Sequence, residues 1–345
     1  NNTSGAYTVQ LKAASGSGAT VTWTTNEKGW KFVYFDGVAT NTGVYDINSD
    51  LGNAVFNDLT ALGTIKLDGN YPTGSNNVAL GDTALDSIEA GGTDNVAIGH
   101  QAGTALTTGD NSIAIGSCAL KVATTAGANT AVGKSSLVAN TSGTGNVSIG
   151  NAMEGNTTGS DNTALGNGAL QANTTGDDNV ALGRLALKSN TTADNNIAVG
   201  FCSLFANTTG ANSVAVGCGA LTDNTVGDQN TAVGGTALGD NTEGEYNAAF
   251  GYNALRKNTT ADHGAAFGYY ALACNTTGAD NTAVGTSALR SNTTGAHNTA
   301  VGSCSLNDNT TGAYNTSLGK QALEHNVEGE GNVGIGYQTL CTQNH

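Results

Sequence analysis

The run N-T-A-V-G-T-S-A-L-R-S-N-T-T-G, Asn281 to Gly295, is followed after two residues by N-T-A-V-G-S-C-S-L-N-D-N-T-T-G, Asn298 to Gly312. The glycine that follows the apolar residue in each run is one of sixteen such anchors, from Gly81 to Gly336. They are spaced by 17 residues apart from one interval of 18 and one of 16. Self-similarity at a short fixed period is the signature of stacked repeats. No helix fits between breakers this frequent. Each unit reads instead as two short extended segments, N-T-A-V and x-A-L, parted by Gly and closed by an N-T-T-G turn. With so few large apolar side chains, one unit cannot bury its own face and must stack on its neighbours. The expected fold is all-β: a parallel β-solenoid, or β-roll, of about 16 rungs. At a strand spacing of about 4.8 Å it would stand roughly 75 Å tall.

Position within the unit predicts the role of each residue. The large apolar residue before every anchor (Leu80, Ile98, Val132, Val199, Phe250, Val301) is expected to be buried. So is the Leu four residues after it (Leu120, Leu170, Leu238, Leu289). Two residues before the anchor, Ala or Ser (Ala131, Ser148, Ala215, Ala283) leaves room for close approach of something on the other strand face. Asn recurs four residues before the anchor (Asn77, Asn95, Asn129, Asn162, Asn230, Asn315) and in the turns (Asn140, Asn173, Asn207, Asn258, Asn292). Stacked amides there would form ladders that satisfy turn backbone groups. The N-T-T triplets match a glycosylation sequon only as a by-product of the repeat. Left-handed hexapeptide helices need apolar hexads where these units are polar, and no calcium-binding nonapeptide period is present.

Composition narrows the function. The chain has 345 residues, 50 Gly and 1 Pro, which excludes collagen, and a formal charge of −15, which leaves no basic field for nucleic acid or an anionic membrane. No leader and no run of 18 apolar residues is present, so neither a signal peptide nor membrane insertion is expected within these residues. The chain begins with Asn1 rather than Met, which is expected of a sequence from which an upstream piece or a processed signal is absent. His100, His263, His297, His325 and His345 are scattered, and no catalytic constellation, cofactor motif or metal motif stands out. A non-enzymatic protein is expected. Asp94, Asp161, Asp178 and Asp280, just before the N-T-A-V segments, read as solvated turn residues rather than calcium ligands. Cys118, Cys202 and Cys304 share one column but lie five and then six rungs apart, roughly 24 to 29 Å. They read as free thiols made in a reducing compartment.

These repeats resemble the heads of trimeric autotransporter adhesins, and the 17-residue form with A-L and N-T-T-G is more similar to bacteriophage tail fibres. The segments Ala6 to Lys12, Gly16 to Val21 and Trp30 to Gly37 are similar to a small β module upstream of such repeats, and Ile65 to Gly74 to their lead-in. The expected organisation is an N-terminal β module over 1–50, a connector over 51–75 and the repeat shaft over 76–345. The resemblance implies a left-handed roll wound as an intertwined homotrimer, located in the virion, that meets other tail proteins and a host-surface glycan or protein receptor. It also implies a C-terminal chaperone, removed after assembly. Trimerisation is expected on physical grounds too, with the Ala/Ser column and Asn ladder forming a flat, charge-poor face toward identical chains. A bacterial surface adhesin is the first alternative. An ice-binding solenoid is a further one, suggested by Thr174, Thr191, Thr208, Thr259, Thr276 and Thr293 at the rung spacing. The candidate receptor contacts are Tyr252, Tyr269 and Tyr270 on adjacent rungs, with Tyr246 and His263 in the preceding turns.

Overall fold

The computed structural model describes residues 74–341 and, upstream of them, four three-residue strands. β1 (Val9–Leu11) pairs antiparallel with β2 (Val21–Trp23), and β3 (Val33–Phe35) pairs antiparallel with β4 (Val44–Asp46). The remainder of the 1–50 segment, nearly all of the 51–75 connector with its Ile65 to Gly74 lead-in, and His345 lie outside the described residues. The chain divides into two compact units, Asn1–Lys66 and Leu67–His345.

The second unit is a parallel β-solenoid. Sixteen three-residue strands, from β5 (Val78–Leu80) to β20 (Val333–Ile335), form one sheet in strict sequence order. Equivalent repeat positions pair directly, as in Thr231 with Ala248, Ala232 with Ala249 and Val233 with Phe250. The described residues contain no helix.

The inside of each rung is small. The central strand residue, Ala or Ser in nearly every rung, points inward and is fully buried from Ala97 to Ala300. Opposite it stands the Leu four residues past the anchor, fully buried at Leu120, Leu170, Leu238 and Leu289, as its spacing predicts. Burying such a side chain contributes about 1.5–3 kcal/mol. Rungs that depart from the repeat refill the same space. In the 16-residue interval Met153 takes the Leu position. Where Gly103 replaces that Leu, Leu106 fills in, with a Cδ 3.1 Å from where a Cβ on Gly103 would stand.

Two expectations are corrected. The apolar column before the anchor is not buried: Leu80, Ile98, Ile149, Leu165, Phe250 and Phe267 are exposed, and Val132, Val199 and Val301 half-buried. Adjacent strand residues face opposite ways, and a rung already filled by one Leu has room only for Ala on the facing wall. The small residue therefore goes in and the large ones stay out. It follows that the flat outer face is not the Ala/Ser column and Asn ladder, which are interior. The second correction concerns x-A-L, which is not extended. Its Leu adopts φ near +50° in rung after rung (Leu120 50°, Leu238 51°, Leu289 51°), and the residue two positions earlier is left-handed as well (Cys118 60°, Thr236 53°). Left-handed backbone costs an L-residue about 1–2 kcal/mol, so burial of each Leu is offset in good part by the turn that delivers it.

Two amide ladders hold the rungs in register. In the strand-side ladder, Asn179 N–H donates to Asn162 Oδ1 (3.0 Å) and Asn179 Nδ2 to the Ala193 carbonyl (2.8 Å). In the turn-side ladder, Asn173 Nδ2 donates to Asn156 Oδ1 (2.8 Å) and to the Gly176 carbonyl (2.9 Å). These side chains are fully buried. The strand-side ladder is broken at Ser112, Ser213 and Gly264. The turn-side ladder begins at Asn140, because Ile88, Leu106 and Ala123 occupy that column in the first three rungs. Buried amides this closely paired satisfy the turn carbonyls that would otherwise be orphaned.

Candidate functional site

The outward strand faces form the longest feature of the solenoid. Each strand presents its first and third residues to the outside. Over sixteen strands the first is Val, Ile, Thr or Ala and the third Val, Ile, Leu or Phe, with no charged residue in either column. Phe250 and Phe267, with ring centroids 4.9 Å apart and 6° from parallel, are the largest side chains of this stripe.

The five candidate receptor contacts fall in three columns of the repeat, two of them adjacent. Tyr252 and Tyr269, one residue past their anchors, stack with ring centroids 5.7 Å apart. Tyr270 meets both edge-on, at 5.9 Å from Tyr252 and 4.4 Å from Tyr269. Tyr252 and Tyr269 are 50% and 52% exposed. Packing raises the Tyr269 phenol above its ordinary pKa, and the neighbouring Tyr270 phenol, with which it shares a hydrogen bond, raises it further. Arg290, from the next rung, lies over the Tyr270 ring at 5.1 Å. The sequence reading missed this arginine, whose signal is its spacing of 20 residues from Tyr270, one rung plus three.

Tyr246 and His263 belong instead to a turn column, five residues before the anchor, that runs Tyr246, His263, Asp280, His297, Tyr314 at steps of 17. Tyr246 stacks on His263 at 5.3 Å and His297 on Tyr314 at 4.9 Å. Between these pairs Asp280 lies 3.7 Å from Nδ1 of each histidine, through a different carboxylate oxygen in each case. All five have φ of 57–58°. Reading the register column rather than residue types would have found Asp280, His297 and Tyr314.

The other expected features have structural roles. Acidic turn residues one position earlier accept backbone N–H groups of the preceding rung, as Asp177 does from Ser160 (2.7 Å) and Asp262 from Glu245 (2.8 Å). Asp94, Asp161, Asp178 and Asp280 themselves occupy the left-handed turn position. Among the described residues no three His, Cys, Asp or Glu side chains are arranged to hold a metal ion. The Thr column is half-buried, and its hydroxyls are engaged along the solenoid: Thr174 Oγ1 donates to the Thr191 carbonyl (2.9 Å) and Thr276 Oγ1 to that of Thr293 (2.9 Å). All six cysteines are free thiols. Burial first, and then the nearby Cys218, raises the pKa of Cys202. Among the described residues no helix is long and apolar enough to cross a membrane.

No protein-family model, no curated protein and no solved structure matches this chain.

Proposed function

We propose that the chain is a non-enzymatic segment of a bacteriophage tail fibre, three copies of which assemble into a rigid shaft that carries a virion to a host surface. The observation that carries this reading is the uncharged outward face of the sheet. Fifteen strand spacings of about 4.8 Å, by the roughly 7 Å between alternate strand residues, give a stripe of about 500 Å² before side-chain relief is counted. That is near the upper end of what a monomeric protein leaves in one patch, and it runs the full length of the solenoid without a charge. A stable interface needs about 800 Å² per partner. A three-fold arrangement suits such a stripe, because each copy then meets two neighbours along one line and the flanking columns supply the remaining area.

The repeat's resemblance to tail fibres supports assignment to a virion over a bacterial surface adhesin, as do free thiols suited to assembly in a reducing compartment. The ice-binding alternative has less support, since the relevant Thr hydroxyls are already bonded along the solenoid axis. The test is the solution mass by light scattering. Three copies of the 34.3 kDa chain give about 103 kDa, and a 34 kDa particle would remove the physical basis of the reading.

A further inference from the structure

The positive charges of the repeat region are confined to three columns. Every Lys and Arg in it falls one, five or six residues after an anchor glycine, as Arg184, Lys188, Arg256 and Arg290 do. Most Asp and Glu lie in the turns, five, six or eight residues before the next anchor, while Asp82, Asp86, Asp223, Asp240, Asp308 and Glu324 share the basic columns. One corner of an acidic solenoid therefore carries all of its positive charge. Over the three rungs that begin at Gly251, Gly268 and Gly285 this corner contains no carboxylate, and it coincides with Tyr252, Tyr269 and Tyr270.

Arg256 and Arg290 occupy the same column two rungs apart, about 10 Å. The rung between them has Ala273 in that column, 5% exposed, which leaves a notch between two exposed guanidinium groups. One wall of the notch is the tyrosine group with Arg290 laid over Tyr270.

We infer that this corner binds a carboxylate-bearing oligosaccharide. Exposed tyrosine rings offer an apolar face to the C–H side of a sugar ring and hydroxyls to its polar rim. Two arginines at fixed spacing offer planar donor forks to carboxylates. A densely charged polyanion such as nucleic acid fits poorly, because the acidic turns of the same solenoid would repel every charge beyond the notch. A glycan with an occasional acidic sugar places its charge only where the arginines are. The inference deepens the attachment role proposed above and rests on it for biological meaning.

The test is a panel of oligosaccharides, each acidic member paired with its methyl-esterified counterpart, applied to the full chain after its mass has been measured by light scattering. Retention of at least one acidic oligosaccharide is expected, with at least tenfold weaker binding of the neutral ester. The double variants Arg256→Gln/Arg290→Gln and Tyr252→Ala/Tyr269→Ala should each lose at least tenfold. Arg184→Gln, in the basic corner but outside the notch, should leave binding unchanged. Failure of every acidic member to bind better than its ester overturns the inference, as does binding that survives both double variants. A trimer that fails this way leaves the fibre reading standing. A monomer that binds as expected overturns the fibre reading and leaves the site.

Discussion

Replacing Asn224 by Ala should destabilise the solenoid more than replacing Asn173 by Ala, although the two residues occupy the same column and both are fully buried. Each amide makes the same three ladder bonds. Asn224 Nδ2 donates to Asn207 Oδ1 and to the Gly227 carbonyl, both at 2.9 Å, and Asn224 Oδ1 accepts from Asn241 Nδ2 at 2.8 Å. Asn173 has the corresponding bonds to Asn156, Gly176 and Asn190. The difference lies in the second ladder. The Gly176 carbonyl also accepts from Asn162 Nδ2 (2.8 Å), so it keeps a donor when Asn173 is lost. The equivalent donor to buried Gly227 would come from position 213, which is Ser, and Ser213 Oγ turns to the Ala211 carbonyl instead. Three bonds at about 1 kcal/mol each give roughly 3 kcal/mol for either variant, and an orphaned buried carbonyl adds about 1–3 kcal/mol at Asn224 alone. Urea denaturation of the two variants measures the difference, and hydrogen exchange of the turn amides beside Gly227 and Gly176 locates it. Equal destabilisation, within the roughly 0.5 kcal/mol to which such comparisons resolve, would refute the claim that the second ladder satisfies the turn carbonyls.

Gly234→Ala should cost more than about 3 kcal/mol, because at φ 139° its Cβ would stand 2.5 Å from the Gly251 carbonyl oxygen. Gly331→Ala, at φ 67° with nothing within 4 Å, should cost only the backbone strain of about 1–2 kcal/mol. Thermal melts of the two proteins check the pair, and similar losses would show that rung contact is not what excludes a side chain at the anchor. Asp at positions 216 and 233 together (Val216→Asp/Val233→Asp) should leave the single-chain fold intact, since both side chains point outward, and should drop the light-scattering mass to one chain. An unchanged oligomer would place the interface elsewhere. His325 Nδ1 lies 2.7 Å from Asp308 Oδ2, and that hydrogen bond raises its pKa despite some desolvation. A raised folded-state pKa means stabilisation that is complete below the unfolded value of about 6.5 and is lost as pH rises through the folded value. With both groups about half exposed the effect is small. NMR titration should find the His325 pKa above 6.5 and returned toward it in Asp308→Asn, and an unshifted His325 would refute the pairing.

The period, the buried leucines and both asparagine ladders were legible in the sequence because each is a one-dimensional regularity. The direction in which the strand faces was not. A residue such as Val233 looks like core by size, and only the volume left inside a rung by Leu238 decides that Ala232 goes in instead. Nor was the left-handed backbone of those leucines legible, since local preference argues against it and stacking alone imposes it. At the candidate site, Tyr252, Tyr269 and Tyr270 were found because tyrosine is conspicuous beside an anchor. The contacts of Arg290, Asp280, His297 and Tyr314 were missed because they exist only after the chain is folded into register, where residues about one repeat apart become neighbours.

That register has a genetic corollary. Each solenoid strand from β5 to β20 pairs with the next at equivalent positions, and none pairs beyond its immediate neighbours. An in-frame duplication or loss of one unit therefore alters the length of the solenoid by a single strand spacing and asks no other residue to change. Unequal recombination between units would act on the gene as a length dial, turning the reach of the molecule up or down in fixed steps while its core and ladders are carried along unaltered.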